Sequence, residues 1–560
     1  MTKPVSAGSP PSPSATGLYS RLRFYLTRAF CALPGYTLTL GDKDPGSPVV
    51  QFPSLWEGDP DRGAAIRDGI FPFAGQVIRR SSNPWDAADA GEAWLTALNG
   101  FSWLSDLKAS ESDAARRRGV GLILDWIEHN GKWSSHGWNA ATLGTRVTNW
   151  LMQYPAILQG ADEMTRRRVR RSLARQVRHL DRIALHDSDG AARIVALKGL
   201  LFAGLALPLF RRSLPRWGDQ MQRELKRQVL PDGGHLERCP SVLISVLRHV
   251  VDCRKAYLAA KVECPPGIQQ TIDRMAPMAK AFQFPDGGLC LFNDSTEGNP
   301  GEISILLAET GVNPKPIRRA PYTGFERIEA GRTVIIMDTG APPAKGFDHH
   351  AHAGALSFEL AVGRERMIVN CGAAISDDAL WRDAQRATAA HSTLSIADTN
   401  SSVLTKDGVG DRRAVVTVDR NEQDDQVWIE ASHSGYASPL GYIHRRRLFV
   451  SSNGEDIRGE DIVEPVSVGQ AVTPRPFAIR FHLHPGVRSS LLANHSAALL
   501  QLTSGSGWRF RSTGGNIALE DTIYLGKRAE PRRSQQIILS GETSGEPVAI
   551  KWALRREAKP

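Results

Sequence analysis

Residues 350–372 read HAHAGALSFELAVGRERMIVNCG and combine a histidine cluster with part of a long series of strand patterns. After residue 320 apolar residues recur with the period of a β-strand, for example in RTVIIMD (332–338), ALSFELAV (355–362), QVWIEAS (426–432) and WRFRS (508–512). Short stretches with this period continue as far as PVAIKWAL at 547–554, separated by Gly, Asn, Asp and Pro. Many short strands without intervening helices predict a β-sandwich for this part of the chain.

Before residue 320 the apolar residues follow the period of helices instead. The predicted helices are 92–107, 112–129, 139–158, 161–186, 192–210, 214–229, 240–261 and 266–283. A run of helices followed by a run of strands predicts two domains rather than a βαβ fold, with the join at 320–324. Consecutive long helices with short loops fit an α/α toroid or a helical solenoid, and periodicity does not separate these two.

The composition is that of a folded protein rather than a disordered one. Apolar residues make up 41% and charged residues 23% of the 560 residues, and the Pro- and Ser-rich N-terminus departs from this pattern. We therefore predict a disordered tail over 1–17, a helical domain over 18–320 and a β-sandwich domain over 321–560.

The charge and the cysteines bear on partners and compartment. The net charge of +10 favours a polyanionic partner, and charge alone does not distinguish acidic polysaccharide, nucleic acid and an anionic membrane. The 6 cysteines include no CxxC pair, which favours free thiols over a disulfide framework. We recognise no secretory signal and no apolar run of about 20 residues, which predicts a cytoplasmic protein without a transmembrane segment. A protein of the cell envelope or periplasm is the alternative.

The densest polar cluster lies at the start of the quoted stretch. On an extended backbone His350 and His352 project to one face and His349 to the other. Two neutral imidazoles on one face can share a metal ion if a third ligand comes from a neighbouring strand, and Asn370 and His391 are the candidates. The alternative is that these histidines hydrogen-bond loop carbonyls.

A second polar loop lies in the helical half, in DGGHLERCP at 232–240. His235, Glu237 and Arg238 precede a helix that Pro240 would begin. Such a loop either exposes these groups to a substrate or caps the helix and forms a surface ion pair.

Arginines and a tryptophan precede the histidine of the AHSTL segment. Trp381, Arg382 and Arg386 lie shortly before His391, and a guanidinium there could bind a carboxylate through two parallel hydrogen bonds. An ordinary surface loop is the alternative. No GxSxG elbow follows a strand and no Walker A or dinucleotide fingerprint is present, which disfavours serine hydrolases and nucleotide-binding enzymes.

The quoted stretch, together with WRDAQRATAAHSTLSI (381–396) and RFHLHPG (480–486), resembles the C-terminal domain of the heparinase II/III family of bacterial polysaccharide lyases. Four upstream segments resemble its helical half: WNAATLGTRVTNW (138–150), LKGLLFAGL (197–205), PDGGHLERCP (231–240) and FPDGGLCLFNDS (284–295). The resemblance covers roughly 80–550. It implies an α+β multidomain fold, in which an incomplete α/α toroid precedes an antiparallel β-sandwich.

Members of this family cleave uronate-containing glycans by β-elimination. A base removes the C5 proton, the neighbouring carboxylate is neutralised and the C4–O bond breaks. The resemblance therefore implies a lyase that acts on an acidic polysaccharide or oligosaccharide. His350 matches the catalytic histidine and His352 a metal ligand, while Asn370 stands where an aspartate ligand is commoner. His391 matches the histidine of the HST segment and completes a predicted divalent metal site, with zinc favoured over calcium because two ligands are imidazoles.

The full set of predicted site residues follows from these motifs. The predicted catalytic residues are His350, His235, Arg238 and Glu237; the substrate-binding residues are Arg386, Arg382, Trp381 and Arg146; and the metal ligands are His352, Asn370 and His391. In this set Arg238 is expected to meet the uronate carboxylate.

Two departures from the family pattern keep other function classes open. The tyrosine that commonly follows the DGGH loop is absent from Cys239-Pro240-Ser241-Val242-Leu243, and Gly190-Ala191-Ala192-Arg193 replaces the usual Asn-His pair. A non-catalytic glycan-binding or envelope-associated protein that retains the lyase fold is the alternative. A third hypothesis is nucleic-acid binding by the arginine-rich segment 161–186. No recognised nucleic-acid motif accompanies this charge, so no nucleic-acid partner is expected.

Overall fold

A computed structural model describes residues 27–557 apart from 28, 32, 34, 55, 81–82, 88, 132, 135–136, 188, 374–378, 468–472, 493–494 and 528–530. The predicted disordered tail over 1–17 lies outside the described residues. The chain forms two compact units. The helical unit holds the described residues up to 228 together with 246–272, and the sheet unit holds 229–245 with the described residues from 273 onward.

Among the described residues, all but two short α-helices lie before residue 320, as predicted. The α-helices are Pro60–Arg67 (α1), Glu92–Gly100 (α2), Leu104–Ala109 (α3), Asp113–His129 (α4), Ala140–Ile157 (α5), Glu163–Ile183 (α6), Gly190–Ala206 (α7), Leu214–Gln228 (α8), Pro240–Ala259 (α9), Pro266–Ala281 (α10), Pro300–Glu309 (α11), Ala379–Arg386 (α12) and Ala437–Leu440 (α13). Within the described part of the chain, no helix combines the length and the apolar character needed to cross a membrane.

Helix α6 is fixed by its cap and its apolar stripe. The carboxylate of Asp162 accepts the N–H of Thr165 at 2.6 Å, which closes the first turn. Val169, Leu173 and Val177 recur at helical spacing and are buried.

The arginines of α6 bind the preceding segment of the same unit. Arg170 is buried and lies 2.8 Å from Asp44, and Arg175 lies 2.9 Å from Asp42. Arg178 and Arg182 donate to backbone carbonyls of 39–41. This charge run is therefore largely committed to protein partners, which disfavours the nucleic-acid reading.

All described strands but one short pair lie after residue 318, and the pairings between these strands are antiparallel. The strands are Ile70–Phe73 (β1), Gln76–Arg79 (β2), Arg319–Ala320 (β3), Phe325–Ala330 (β4), Thr333–Asp338 (β5), Phe358–Val362 (β6), Glu365–Val369 (β7), Leu394–Ile396 (β8), Leu404–Thr405 (β9), Gly408–Val409 (β10), Val416–Gln423 (β11), Gln426–His433 (β12), Tyr442–Val450 (β13), Asp456–Pro465 (β14), Pro476–Leu483 (β15), Arg488–Leu491 (β16), Ala497–Gln501 (β17), Gly507–Thr513 (β18), Asn516–Tyr524 (β19), Arg532–Glu542 (β20) and Val548–Arg556 (β21). One sheet of 8 strands has the order β11-β12-β13-β14-β21-β18-β17-β16. The other has 9 strands in the order β19-β20-β15-β7-β6-β5-β4-β3, with β8 paired to β15.

The two sheets share one buried core. Leu360 and Phe481 of the nine-stranded sheet belong to the same apolar cluster as Ile429 and Trp552 of the eight-stranded sheet. The ring of Phe358 stacks on Trp552 with centroids 5.7 Å apart. Face-to-face packing of this kind is a β-sandwich, so helices followed by an antiparallel β-sandwich are confirmed.

The unit boundary differs from the predicted join near 320, because 229–245 and 273–320 belong to the sheet unit. Each of these two segments contains a PDGG turn, in which Gly233 has a φ of 85° and Gly287 a φ of 91°. Asp232 accepts the N–H of Thr323 at 2.7 Å, and Asp286 lies 2.7 Å from Arg366 of β7. These bonds tie both turns to the strand region.

The histidine cluster lies on a loop and not on a strand, which corrects the predicted alternation of its faces. Strand β6 begins only at Phe358. Leu356 has a φ of 58°, and a Cβ on Gly354 would lie 2.7 Å from the His391 ring. A left-handed residue and a close approach of this kind do not fit an extended strand.

Candidate active site

A network of three histidines and one carboxylate forms the centre of the candidate site. His350 Nδ1 lies 3.0 Å from Asp294 Oδ2, and His352 Nε2 lies 2.8 Å from Asp294 Oδ1. His352 Nδ1 lies 3.0 Å from His391 Nε2. All four residues belong to the sheet unit, so their geometry is set within one compact body.

The Asn293-Asp294 turn positions the histidine loop. Both residues have left-handed backbones, with φ of 52° and 61°, a conformation that Asn and Asp tolerate better than most residues. The side chain of Asn293 accepts the N–H of His352 at 3.0 Å and donates to the carbonyl of Arg238 at 3.0 Å. The turn therefore joins the two loops on which the candidate catalytic residues lie.

The network fixes the charge state of two of its members. Burial alone would raise the pKa of Asp294, but hydrogen bonds from His350 and His352 outweigh it and hold that pKa far below its usual range. Burial, aided by the neighbouring His352, holds the pKa of His391 well below its usual value. Asp294 is thus a carboxylate and His391 a neutral imidazole at physiological pH.

His350 is the accessible histidine of the network. Its side chain is 37% exposed, and its Nε2 lies 3.7 Å from Glu237 Oε2. The imidazole is thus flanked by Asp294 on one nitrogen and by Glu237 near the other. His235 is buried, and its Nδ1 accepts the N–H of Glu237 at 3.3 Å. The structure thus brings three of the predicted catalytic residues into one neighbourhood.

Arg238 does not join this group. Its buried guanidinium donates to the carbonyls of Thr323 at 2.6 Å, Ala341 at 2.9 Å and Gly324 at 3.0 Å, and it pairs with the carboxylate of Asp338. The donors that were expected to meet a uronate are therefore bound to protein, and the ion partner is Asp338 instead of Glu237.

Two of the predicted substrate-binding arginines are likewise buried. Arg146, in the helical unit, donates to Gln176 at 2.8 Å and to the carbonyls of Asn99 and Gly137. Arg386 donates to carbonyls of the loop regions around it, including that of Ala351 at 3.0 Å. Arg386 therefore holds the backbone between His350 and His352, and neither guanidinium is exposed for a substrate.

Arg382 and Trp381 are the accessible members of the predicted substrate set. Both lie on α12 and are partly exposed. Arg382 donates to the carbonyl of His349 at 2.9 Å and to that of Lys406 at 2.7 Å. Its contact with His349 places a cation at the residue next to His350.

The predicted metal ligands are only partly assembled. His352 and His391 face each other, whereas the side-chain oxygen of Asn370 accepts the N–H of Ser392 at 3.0 Å. The Asn370 Nδ2 atom is buried and makes no hydrogen bond to the described residues. No group of three or more His, Cys, Asp or Glu side chains within the described ranges is arranged to hold a metal ion.

Two family models cover most of the sequence. Residues 97–306 match the Heparinase II/III N-terminus, and residues 312–553 match the Heparinase II/III-like C-terminal domain. The chain belongs to the heparinase II/III-like family. Its relatives include FtsZ-localized protein C of Caulobacter vibrioides, which is 30% identical over 517 residues, covering 89% of this chain and 88% of that protein.

Two solved structures share the fold of this heparinase II/III-like chain. A crystal structure of heparinase III has a TM-score of 0.72 at 13% identity, covering 98% of this chain and 92% of that one. Heparan sulfate lyase HepC from Pedobacter heparinus has a TM-score of 0.61 at 16% identity, covering 97% and 90%. The fold is therefore that of heparinase-like polysaccharide lyases.

Asp294 is the residue of this network that the sequence motifs do not predict. It lies in FPDGGLCLFNDS, a segment that carried the family resemblance but was not linked to the histidines. It contacts His350 and His352 across a sequence separation of 56 and 58 residues, which no local pattern reveals. A consecutive Asn-Asp pair after an apolar run was the available signal, because this dipeptide favours a tight turn with exposed polar groups.

Proposed function

We propose that this heparinase II/III-like chain is a polysaccharide lyase that cleaves a uronate-containing glycan by β-elimination at His350. The supporting observation is the accessible imidazole of His350, held through Nδ1 by the partly buried carboxylate of Asp294. A carboxylate on one ring nitrogen fixes the tautomer and directs the basic nitrogen toward a substrate, as in catalytic His–Asp pairs.

In this proposal His350 Nε2 removes the proton from C5 of the uronate. The electron pair of the C5–H bond forms the C4–C5 double bond, and the C4–O bond breaks with its electron pair on the leaving oxygen. The imidazolium then returns its proton to that oxygen, so His350 ends neutral. Asp294 and Glu237 flank the ring at 3.0 Å and 3.7 Å and stabilise the imidazolium between these two steps.

We assign the uronate carboxylate to Arg382 rather than Arg238. Arg382 is partly exposed and, among the described residues, donates only to backbone carbonyls, whereas Arg238 is buried and pairs with the carboxylate of Asp338. A cation near the carboxylate lowers the barrier to C5 deprotonation because it stabilises the enolate-like charge. Trp381, on the same helix, is assigned to the sugar ring.

We also propose a divalent cation at His352 and His391. His352 Nε2 lies 2.8 Å from the Asp294 carboxylate and 3.0 Å from the Asp294 N–H, while the carbonyl of Ala387, 2.8 Å from His391 Nδ1, assigns that ring's proton to Nδ1. His391 Nε2 therefore presents a lone pair to His352 Nδ1 at 3.0 Å, and a cation bound by both atoms would require His352 to carry its proton on Nε2. A bound zinc ion would act as a Lewis acid and supply positive charge.

Elemental analysis of untagged protein tests the metal proposal. We expect close to one zinc per chain after zinc addition and dialysis, and loss of that zinc in the His391→Ala variant. Less than about a tenth of an equivalent of any metal under these conditions would contradict it.

A second candidate function is a non-catalytic one. The relative that is 30% identical over 89% of the chain is named for its localisation with FtsZ, and the family tyrosine after the DGGH loop is absent here. In this candidate the chain keeps the lyase fold and acts with FtsZ without cleaving a glycan.

One pair of measurements separates the two candidates. The first is ultraviolet absorbance of unsaturated uronate, followed during incubation with a panel of acidic glycans. The second is co-sedimentation with FtsZ. A steady rise in absorbance supports the lyase, whereas co-sedimentation without any rise supports the second candidate.

A further inference from the structure

A groove crosses the outer face of the eight-stranded sheet, away from the histidine network. Five residues form a row across neighbouring strands, each the register partner of the next: Trp428, Phe449, Arg458, Ala553 and Arg511. The cavity along this row has a volume of about 340 Å³. No residue of the candidate active site lines it.

One end of the groove is aromatic. Trp428 is 50% exposed, and its ring centroid lies 4.3 Å from that of Phe449. The guanidinium of Arg458 lies 5.4 Å from the centroid of the Phe449 ring. An exposed indole beside a second ring offers a flat apolar surface with a cation at its edge.

The rest of the groove is basic. Its charged lining residues are Arg447, Arg458, Arg511 and Lys551, against one carboxylate, Glu460. Glu460 is shared by Arg447 at 3.0 Å and Lys551 at 3.7 Å. Within the described part of the chain, Arg511 has no acidic partner. Arg447 also pairs with Glu430 at 2.6 Å, and Arg458 pairs with Asp456 at 2.6 Å. Arg511 is therefore the cation of the groove that no carboxylate of the described residues neutralises.

Arg511 lies at the end of the row opposite to the aromatic rings. Arg458 and Arg511 lie two strand spacings apart, about 9.6 Å, on either side of Ala553. The small side chain of Ala553 leaves the floor open between them. A ligand lying across the strands therefore meets the aromatic rings first and then two separated guanidinium groups.

We propose that this groove binds an acidic oligosaccharide. The apolar face of one sugar stacks on Trp428 and Phe449, and the carboxylate of another sugar further along the row pairs with Arg511. The volume of about 340 Å³ lies at the lower end of the range of pockets that hold small ligands.

The position within the sheet argues against an added peptide strand. Strands β13, β14 and β21 are hydrogen-bonded on both sides, so no free backbone edge is available there. Recognition must use side chains. The inference shares the ligand class of the proposed lyase but does not depend on cleavage.

Isothermal titration with a defined uronate oligosaccharide tests the proposal. The protein carries His350→Ala so that the ligand is not consumed. We expect Trp428→Ala and, separately, Arg511→Gln to abolish one class of binding site or weaken it at least tenfold, about 1.4 kcal/mol. The carboxyl-reduced oligosaccharide should lose the same class of site. Tyr322→Ala and Arg488→Gln are matched controls, because both positions are exposed in the sheet unit and lie outside the groove.

The outcomes separate the groove from the active site. Unchanged binding in both groove variants overturns the proposal, as does tighter binding of a Glu-rich peptide that displaces the sugar. In a further outcome, the wild type cleaves none of the glycans while the Trp428→Ala substitution still removes a class of glycan-binding site. That result would contradict the proposed lyase function and support glycan binding in the groove.

Discussion

Arg238 shows how far a single residue can be interpreted from its motif. The DGGHLERCP pattern correctly predicts a loop followed by a helix that begins at Pro240. It does not reveal Asp338, the partner of Arg238, which lies 100 residues away in sequence. An arginine in a polar loop is equally compatible with a substrate contact and a structural brace until such a partner is known.

Arg238→Lys is therefore expected to lower stability rather than glycan affinity. Lysine keeps the charge but loses the planar fork that reaches three carbonyls and Asp338. We expect a loss of about 3 kcal/mol in the free energy of unfolding, measured by urea denaturation. Arg488→Lys, at an exposed position of the same unit, is the control. Equal stability of the Arg238 variant and the wild type would show that the brace contributes little.

His444 predicts a pH dependence of stability. It is fully buried, and its pKa is lowered by burial although Asp461, 2.7 Å away, partly opposes this. Below about pH 6.5 the unfolded chain binds a proton that the folded chain resists, so stability falls as the pH falls. Asp461 has a pKa held far below its usual range, so its contribution is lost only below about pH 4.

The His444→Gln variant isolates this effect. Its unfolding free energy should depend less steeply on pH between about 5 and 6.5, by up to about 1.4 kcal/mol per pH unit. Urea denaturation over that range measures both slopes. Identical slopes for variant and wild type would remove His444 as a source of the dependence.

At the level of elements, the strongly periodic segments were predictable. The eight predicted helical segments all contain observed helices, and RTVIIMD, QVWIEAS and WRFRS lie on strands β5, β12 and β18. Strands β14 and β20 were not identified, because charged and polar residues interrupt their apolar period. The sequence predicts an extended backbone over 350–357, which is wrong because alternation of residue types does not reveal a left-handed residue such as Leu356.

Helices α5 and α7 pack closely where Gly144 lies against Gly199, so a larger residue at this contact should be destabilising. A Cβ on Gly199 would lie 2.7 Å from the Cα of Gly144, so Gly199→Ala must push the helices apart. We expect a loss of about 1–3 kcal/mol in unfolding free energy. Gly121→Ala in α4 is the control, because a Cβ there meets nothing within 4 Å and alanine favours the helix by up to about 1 kcal/mol. Thermal melts of both variants check the opposite signs.

For the whole molecule, the sequence was sufficient to predict the fold and the family. It was not sufficient to predict which groups the arginine side chains bind. The net charge of +10 suggested a polyanionic partner. Arginines that contribute to this charge form ion pairs within the protein: Arg170 with Asp44, Arg175 with Asp42 and Arg238 with Asp338. Such pairings join distant parts of the chain, so they become visible only once the fold is known.

The histidine motif was informative in a different way. The resemblance placed His350, His352 and His391 together, and the structure does bring them into one network. The resemblance did not predict that Asp294 contacts these histidines, because nothing in the local sequence links the FNDS turn to the histidine loop. The predicted chemistry of His350 depends on that carboxylate.

The rate of unsaturated uronate formation in wild type, His350→Ala and His349→Ala tests the central claim most directly. The control is a close one, because the His349 and His350 ring centroids lie only 5.2 Å apart. On the glycan that the wild type cleaves fastest, His350→Ala should be slower by about 10²–10⁴-fold with an unchanged fold, while His349→Ala keeps most of the activity. A His350→Ala protein as fast as the wild type, or a wild type that forms no unsaturated uronate from any acidic glycan, would contradict the claim.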